Sequence, residues 1–478
     1  MRFSHLLLSF VLICTIVSCK QQSEPDQEQT LDGSYEQLGY GHIAIINGQE
    51  FTVYDHTKIS CLPVLEGELS MFGENLSLVN DTLHLEDGIN LYKFVRLDEE
   101  PQLCVDGITE EQQNDPIYNF EVLAANFTEN YAYFDLRNVN WDSLYTATKE
   151  KISPETTPAQ LYIIFEDMLD SFNDGHIGLD APDEVVEAAD SIRASLTTNE
   201  EESSNEKRYG DLEVAALIAD HYISDSLYES RSGLVKWGYM EEGIGYVQVN
   251  LMMGHADLKL NDSLSGMPYL RAYFDELEGL TSEEHTGMEV TGIGTTMENA
   301  LNDLADARAL VLDARFNGGG KDEVGMEIIR QFNPRRHLVF TKKGKMGDGY
   351  TVPNAVYLEA AEQPWNKPVY LLTSRSSASA TEIMVMSSLL LENVTRVGGP
   401  TEGVFSDVLE KVLPNDWEVG LSSEVYLDTQ NNNYEGEGIP PQKDLGYPDD
   451  RQEFLRSLAN DLEADKQRVL GLVGSKEN

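Results

Sequence analysis

Two continuous apolar runs, Ala309-Leu310-Val311-Leu312-Asp313 and Val369-Tyr370-Leu371-Leu372-Thr373, constrain the fold of this chain more than any other feature. Neither alternates, so each reads as a strand buried on both faces, the pattern of a sheet covered by helices. Helical patterns at residues 297–307 and 323–332 and a further strand at residues 243–249 surround them. Strands alternating with helices predict an α/β core, at least partly parallel, over residues 241–448. A length of 478 residues predicts about two to four domains. With 41% hydrophobic residues there is enough apolar volume for sizeable cores, which excludes wholesale disorder.

Charge narrows the partners. The chain carries 34 Lys plus Arg against 83 Asp plus Glu, a formal net charge of −49. Such a surface repels phosphate backbones and anionic headgroups, so no nucleic-acid partner is expected. The four cysteines show no C-x-x-C spacing, which excludes a thiolate zinc site or a thioredoxin-type site.

The first residues read as an address. Arg2 precedes a short apolar run from Leu6 to Val17, too short to span a bilayer as a mature helix and shaped like an export signal over residues 1–18. Ser18-Cys19 resembles a bacterial lipobox, which implies lipidation of Cys19; an ordinary secretory signal is the alternative. Residues 19–31 are Gln/Glu-rich and suit a tether. The expectation is a body in a bacterial cell envelope, outer-membrane or periplasm-facing, held to the membrane only through its N-terminal lipid. Cys61 and Cys104 are then the remaining mature thiols, either joined as a disulfide or buried and free.

Short strands with turn punctuation predict a small β-domain over residues 32–110, with Asn47-Gly48 as a hairpin signal. Its histidines, His42, His56 and His84, stand at no metal-ligand spacing and read as structural or surface residues. Residues 116–185 turn helical, and the helix near Leu169 leads into Asp174-Gly175-His176. Residues 186–240 read as a variable linker or insertion, with a polar break at 198–207. Residues 449–478 read as a C-terminal helix with a stripe at Phe454, Leu458, Leu462 and Val469.

Three segments at element ends could carry chemistry. Ser374 to Glu382 runs from a buried strand into a helix, where a serine at the helix N-terminus meets a field that favours developing negative charge. From this segment alone a helix cap is the simpler reading, with Ser377 or Ser379 as N-cap and Glu382 completing a capping box. Arg315-Phe316-Asn317-Gly318-Gly319-Gly320 follows the other buried strand, and its glycines expose backbone N–H groups as an oxyanion hole requires. A flexible loop would look the same, and the Lys-Ser/Thr ending of a phosphate loop is missing. The third is Asp174-Gly175-His176 at a helix end, where a lone histidine is usually structural; the last histidine is His337, so a Ser-His pair using Ser379 must take its histidine from upstream, which excludes the α/β-hydrolase order. A fourth segment, Asn431 to Pro441, reads as a solvated turn and lacks EF-hand ligand spacing.

In order, the Arg-x-Asn-Gly-Gly-Gly segment, Ser377-Ala378-Ser379-Ala380-Thr381-Glu382, Val397-Gly398-Gly399-Pro400-Thr401 and Tyr434-Glu435-Gly436-x-Gly438-Ile439-Pro440-Pro441 resemble the tricorn-like and C-terminal-processing serine peptidases. Asn130 to Asp135, Val139 to Asp142 and Asp174-Gly175-His176 extend the resemblance to residues 116–445. It implies an α+β multidomain chain with a β-sandwich-like, ClpP/crotonase-type core. It implies Ser379 as nucleophile, the N–H groups of Ala380 and Gly319 as oxyanion donors, His176 as general base and Glu435 as its partner. The processing branch's lysine position falls on Val404, so a Ser-Lys dyad is not supported. The tricorn type has a serine where this chain has Gly175, so Glu435 reaches His176 directly or through water, or Asp174 helps. No clear PDZ domain is expected. The implied activity is hydrolysis of peptides or unfolded proteins through an acyl-enzyme, with no metal and no organic cofactor. A non-catalytic peptide- or ligand-binding protein on the same fold is the alternative, and an esterase would use the same machinery.

Overall fold

The structure, a computed structural model, describes residues 30–196, 207–277 and 280–474. The expected signal, Cys19 and nearly all of the tether lie outside these residues.

The N-terminal part is one antiparallel sheet of seven strands: β1 (Gly33–Gln37), β2 (His42–Asn47), β3 (Glu50–His56), β4 (Cys61–Glu68), β5 (Leu76–Val79), β6 (Thr82–Asp87) and β7 (Asn90–Arg96). Their spatial order is β4-β3-β2-β1-β7-β6-β5. Asn47 pairs with Glu50 across a two-residue turn in which Gly48 adopts φ +65°, a conformation that favours glycine. Cys61, at the start of β4, is disulfide-bonded to Cys104 in the short helix Gln102–Asp106.

Two capped helices follow. Asp115 accepts the Ile117 N–H at 2.9 Å and Pro116 opens the helix Pro116–Asn130. Thr157 and Gln160 form a capping box at the start of Pro158–Leu169. Their apolar faces bring Phe120, Phe127 and Phe165 into one cluster with Phe172, just beyond the second helix, and with Trp417 and Leu421, which come from the far end of the chain.

The main sheet also has seven strands. From one edge they are Lys443–Asp444, Val394–Gly398, Val369–Thr373, Ala309–Asp313, Ile244–Val249, Val235–Met240 and Tyr228–Glu229. The first five run parallel, and the last two pairings are antiparallel. Helices Ser282–Asp303, Asp322–Arg330 and Ala380–Ser387 cover one face. The helix Asp211–Tyr222 covers the other with Val214, Ile218 and Tyr222, although it falls in the stretch expected to be a linker. Beside it the expected C-terminal helix is two helices, Arg451–Asn460 and Leu462–Gly474. Asp461 breaks it because its backbone leaves the helical region (φ −148°, ψ 68°), while its carboxylate accepts the Ala464 N–H at 3.1 Å. The chain is therefore a mixed α+β protein of several packed parts.

The N-terminal sheet is fastened to the main body. Lys411 reaches Asp55 at 2.8 Å, and Asp55 also accepts the Val412 N–H at 2.7 Å. At the β6–β7 turn, Glu323 accepts the Ile89 N–H at 2.9 Å.

Candidate active site

Strands Ala309–Asp313 and Val369–Thr373 are parallel neighbours, so their C-terminal ends, and the two small-residue loops that follow, lie side by side. Ligand crevices of parallel α/β sheets form at such ends. The loops are bonded to each other. Ser377 Oγ donates to Ala314 O at 2.8 Å, Ser374 Oγ to Arg315 O at 2.6 Å, and Asn317 O accepts from Ala378 N at 3.1 Å and Thr381 Oγ1 at 3.0 Å. Arg315 is wholly buried and faces away from solvent chemistry. It binds Asp313 at 2.6 Å and Asp465 of the last helix at 2.7 Å, which fixes the root of the glycine loop.

This packing puts Ser379 in a strained position. Its φ of +54° with ψ of −127° lies where non-glycine residues rarely sit, immediately before the helix Ala380–Ser387. Gly319 backs onto it: a Cβ at position 319 would lie 2.7 Å from Ser379 Cβ, so only glycine fits. Ala380 N–H stands in the first helical turn, where backbone donors have no partner within the helix. The Gly319 N–H, in contrast, donates to Asn317 Oδ1 at 3.0 Å.

Glu382 underlies the serine. It is fully buried, accepts the Gly403 and Val404 N–H groups at 2.8 and 2.7 Å, and accepts the Ser379 N–H at 3.3 Å. Burial pushes its carboxyl up to about 8 despite these donors.

His176 enters from the helical side, in the turn between the short helix Asp170–Phe172 and the strand Gly178–Asp180. That strand pairs with Glu418–Ser422, which ties the histidine turn to the main body. Residues 402–406 pass between the two halves of the site. Glu402 N donates to Ser377 O at 3.0 Å on the serine side, while a Cβ on Gly175 would meet Val404 Cγ1 at 3.2 Å on the histidine side. Ser379 and His176 thus flank one loop, and no hydrogen bond joins the imidazole to the serine hydroxyl. The Ser406 carbonyl faces the ring, while Nδ1 is buried without a hydrogen-bond partner. Burial is the largest influence on the imidazole and holds it below its usual value of 6.5.

Glu435 is buried but makes no hydrogen bond to His176. One of its oxygens binds Arg137 at 2.7 Å, and the other accepts the N–H groups of Phe405 and Ser406 at 2.8 and 3.3 Å. It shapes the chain that presents the Ser406 carbonyl to the ring. Burial, then the nearby Asp174, raises its carboxyl to about 7. Asp174 accepts the His176 backbone N–H at 3.1 Å, the Tyr131 hydroxyl at 2.9 Å and the Ser422 hydroxyl at 3.1 Å. Among the described residues, no group of three or more His, Cys, Asp or Glu could hold a metal ion.

The sequence profile of Peptidase family S41 matches residues 244–445, which hold every main-sheet strand from Ile244–Val249 onward, Ser379 and Glu435. The chain carries a peptidase family S41 domain. Among solved structures it is similar to a candidate peptidase from Parabacteroides merdae ATCC 43184. The two are 23% identical over 73% of this chain and 98% of that one, with a TM-score of 0.52, a likeness of fold. Weaker likenesses are to mature CPAF complexed with lactacystin (11% identity, 76% and 100% coverage, TM-score 0.49) and to the photosystem II D1 C-terminal processing protease (14%, 74% and 99%, 0.40).

Arg137, Glu382 and Ser406 meet at the candidate site, although no local pattern in the sequence singles them out as site residues. Arg137 sits between two segments that were read for family resemblance, but a lone arginine carries no local signal. Glu382 was legible only as a helix-capping residue. His176 lies upstream of the matched region and joins the S41 domain through the 402–406 loop.

Proposed function

We propose that this S41 protein is a serine endopeptidase that cleaves peptides or unfolded proteins through an acyl-enzyme. Ser379 attacks the scissile carbonyl, and its proton passes to His176. The tetrahedral oxyanion is received by Ala380 N–H and, once it turns from Asn317, by Gly319 N–H. His176 then returns the proton to the leaving amine, and water repeats the sequence to free the acid. Burial keeps the imidazole neutral near pH 7, the form a general base needs. Glu435 acts indirectly, through Arg137 and the amides of Phe405 and Ser406, in place of a direct bond to the ring.

The observation that carries this reading is the strained Ser379 backbone, packed on Gly319 at the N-terminus of a helix. Strain of this kind persists where the surroundings enforce it and often marks a functional residue. Hydrolysis of unfolded casein by the purified protein and by Ser379→Ala tests it, and equal rates would reject the assignment. The Cys61–Cys104 disulfide supports export to an oxidising compartment. Among the described residues no helix is long and apolar enough to cross a membrane, in keeping with attachment through a lipid on Cys19.

A second reading, a peptide-binding protein without hydrolysis, is favoured by two features of the resting site. Glu435 is committed to Arg137 and the Gly319 N–H to Asn317, so the resting site lacks two contacts that an acyl-transfer centre uses.

A further inference from the structure

The N-terminal sheet holds a cavity that the hydrolytic reading leaves unused. Its volume is about 270 Å³ and its walls are almost wholly apolar, among them Ala44, Phe51, Leu83 and Phe94. The edge strands β4 and β5 are consecutive in the chain, and the segment that links them, Leu69–Asn75, contributes Leu69 and Phe72 to the lining.

One end of the cavity is polar. His42 binds Asp55 through Nε2 at 2.9 Å and one end of the Gln37 carboxamide through Nδ1 at 2.6 Å. Asp55 is itself fixed by Lys411 and the Val412 N–H, so the imidazole cannot turn. Gln37 is only 7% exposed and lines the cavity. The free end of its carboxamide has no protein partner. That end faces the cavity and takes its hydrogen bond from whatever occupies it, water or the polar group of a ligand.

Apolar walls with a polar position at one end are what a pocket for a small amphiphile presents. An engineered apolar cavity of about 150 Å³ takes benzene, so this one has room for roughly ten or eleven heavy atoms. No lysine or arginine lines it, which disfavours an anionic head. We propose that the N-terminal sheet binds a neutral single-chain amphiphile of about this size, its hydrocarbon among the apolar walls and its hydroxyl on the free end of Gln37.

Isothermal titration of the full-length protein with 1-decanol, 1-chlorodecane and decanoate tests this. The expected result is saturable one-to-one binding of decanol, about tenfold tighter than either analogue. Gln37→Leu should weaken decanol about tenfold and leave 1-chlorodecane unchanged. Ala44→Phe, which fills the cavity, should abolish binding. Absence of saturable decanol binding to the wild type would overturn the proposal, as would undiminished binding by a folded Ala44→Phe protein. Should that variant fail to fold, Gln37→Leu decides alone, and unchanged decanol affinity there overturns the proposal.

Discussion

Arg137 and Glu435 stand 298 positions apart, yet their side chains meet at 2.7 Å, the carboxylate wholly buried and the guanidinium nearly so. The pair joins the helical half of the site to the S41 domain. Removing one partner strands a buried charge, which typically costs about 3–5 kcal/mol. Because the Glu435 carboxyl, already raised to about 7, takes up a proton once the guanidinium is gone, Arg137→Met should destabilise the protein by less than that in urea denaturation. Glu435→Gln, which keeps a polar group of the same shape, should cost less, and should lower kcat more than it raises KM if Glu435 acts by placing Ser406 against the ring.

Acidity should read out through His176. Burial holds its imidazole below 6.5, so the acid limb of kcat/KM should fall below the range of an ordinary histidine. Asp174 is the leading influence in the other direction, so Asp174→Asn should move the limb to still lower pH. A pH–rate profile on a peptide substrate checks both. A limb at or above 6.5 would assign the titration to another group.

Glu382 should make stability depend on pH. Its native value of about 8 lies above the ordinary 4.5, so between these values the folded protein holds a proton that the unfolded chain has released. Its contribution is full below about pH 4.5 and is lost as pH rises toward 8. The wild type should lose on the order of 2–4 kcal/mol more than Glu382→Gln between pH 5 and pH 8, measured by urea denaturation at both.

The disulfide encloses a sequence separation of 43 residues. Loop-closure entropy for a ring of that length amounts to about 4 kcal/mol. A Cys61→Ser, Cys104→Ser double variant should lose about 3–4 kcal/mol from the unfolding of the N-terminal sheet, followed by its far-ultraviolet circular dichroism.

What was legible in the sequence was local. The runs at 309–313 and 369–373 mark buried strands because their positions up to the last, Asp313 and Thr373, are apolar or aromatic without alternation, and the glycine and serine loops follow them because only small residues pack so closely. What was not legible joins distant residues. Nothing near Glu435 signals that Arg137 will bind it, and the Asp-Gly-His turn gives no sign that the Ser406 carbonyl will face the ring. The helix Asp211–Tyr222 lies in a stretch that reads as a linker because a polar break at 198–207 precedes it; its apolar face covers the second side of the sheet. The break at Asp461 was hidden because the apolar stripe runs through it without a change in period. The polar end of the N-terminal cavity depends on Gln37, His42, Asp55 and Lys411, spread over nearly four hundred positions, and no segment of it is a motif.

Covalent labelling distinguishes a Ser379 nucleophile activated by His176 from a serine that only caps a helix. Intact and peptide mass analysis after treatment with a fluorophosphonate probe should show one adduct, located on Ser379. The adduct should be absent in Ser379→Ala and form roughly a thousandfold more slowly in His176→Ala. A wild-type protein that stays unlabelled, or a Ser379→Ala protein labelled to the same extent, would show that Ser379 is not the activated nucleophile.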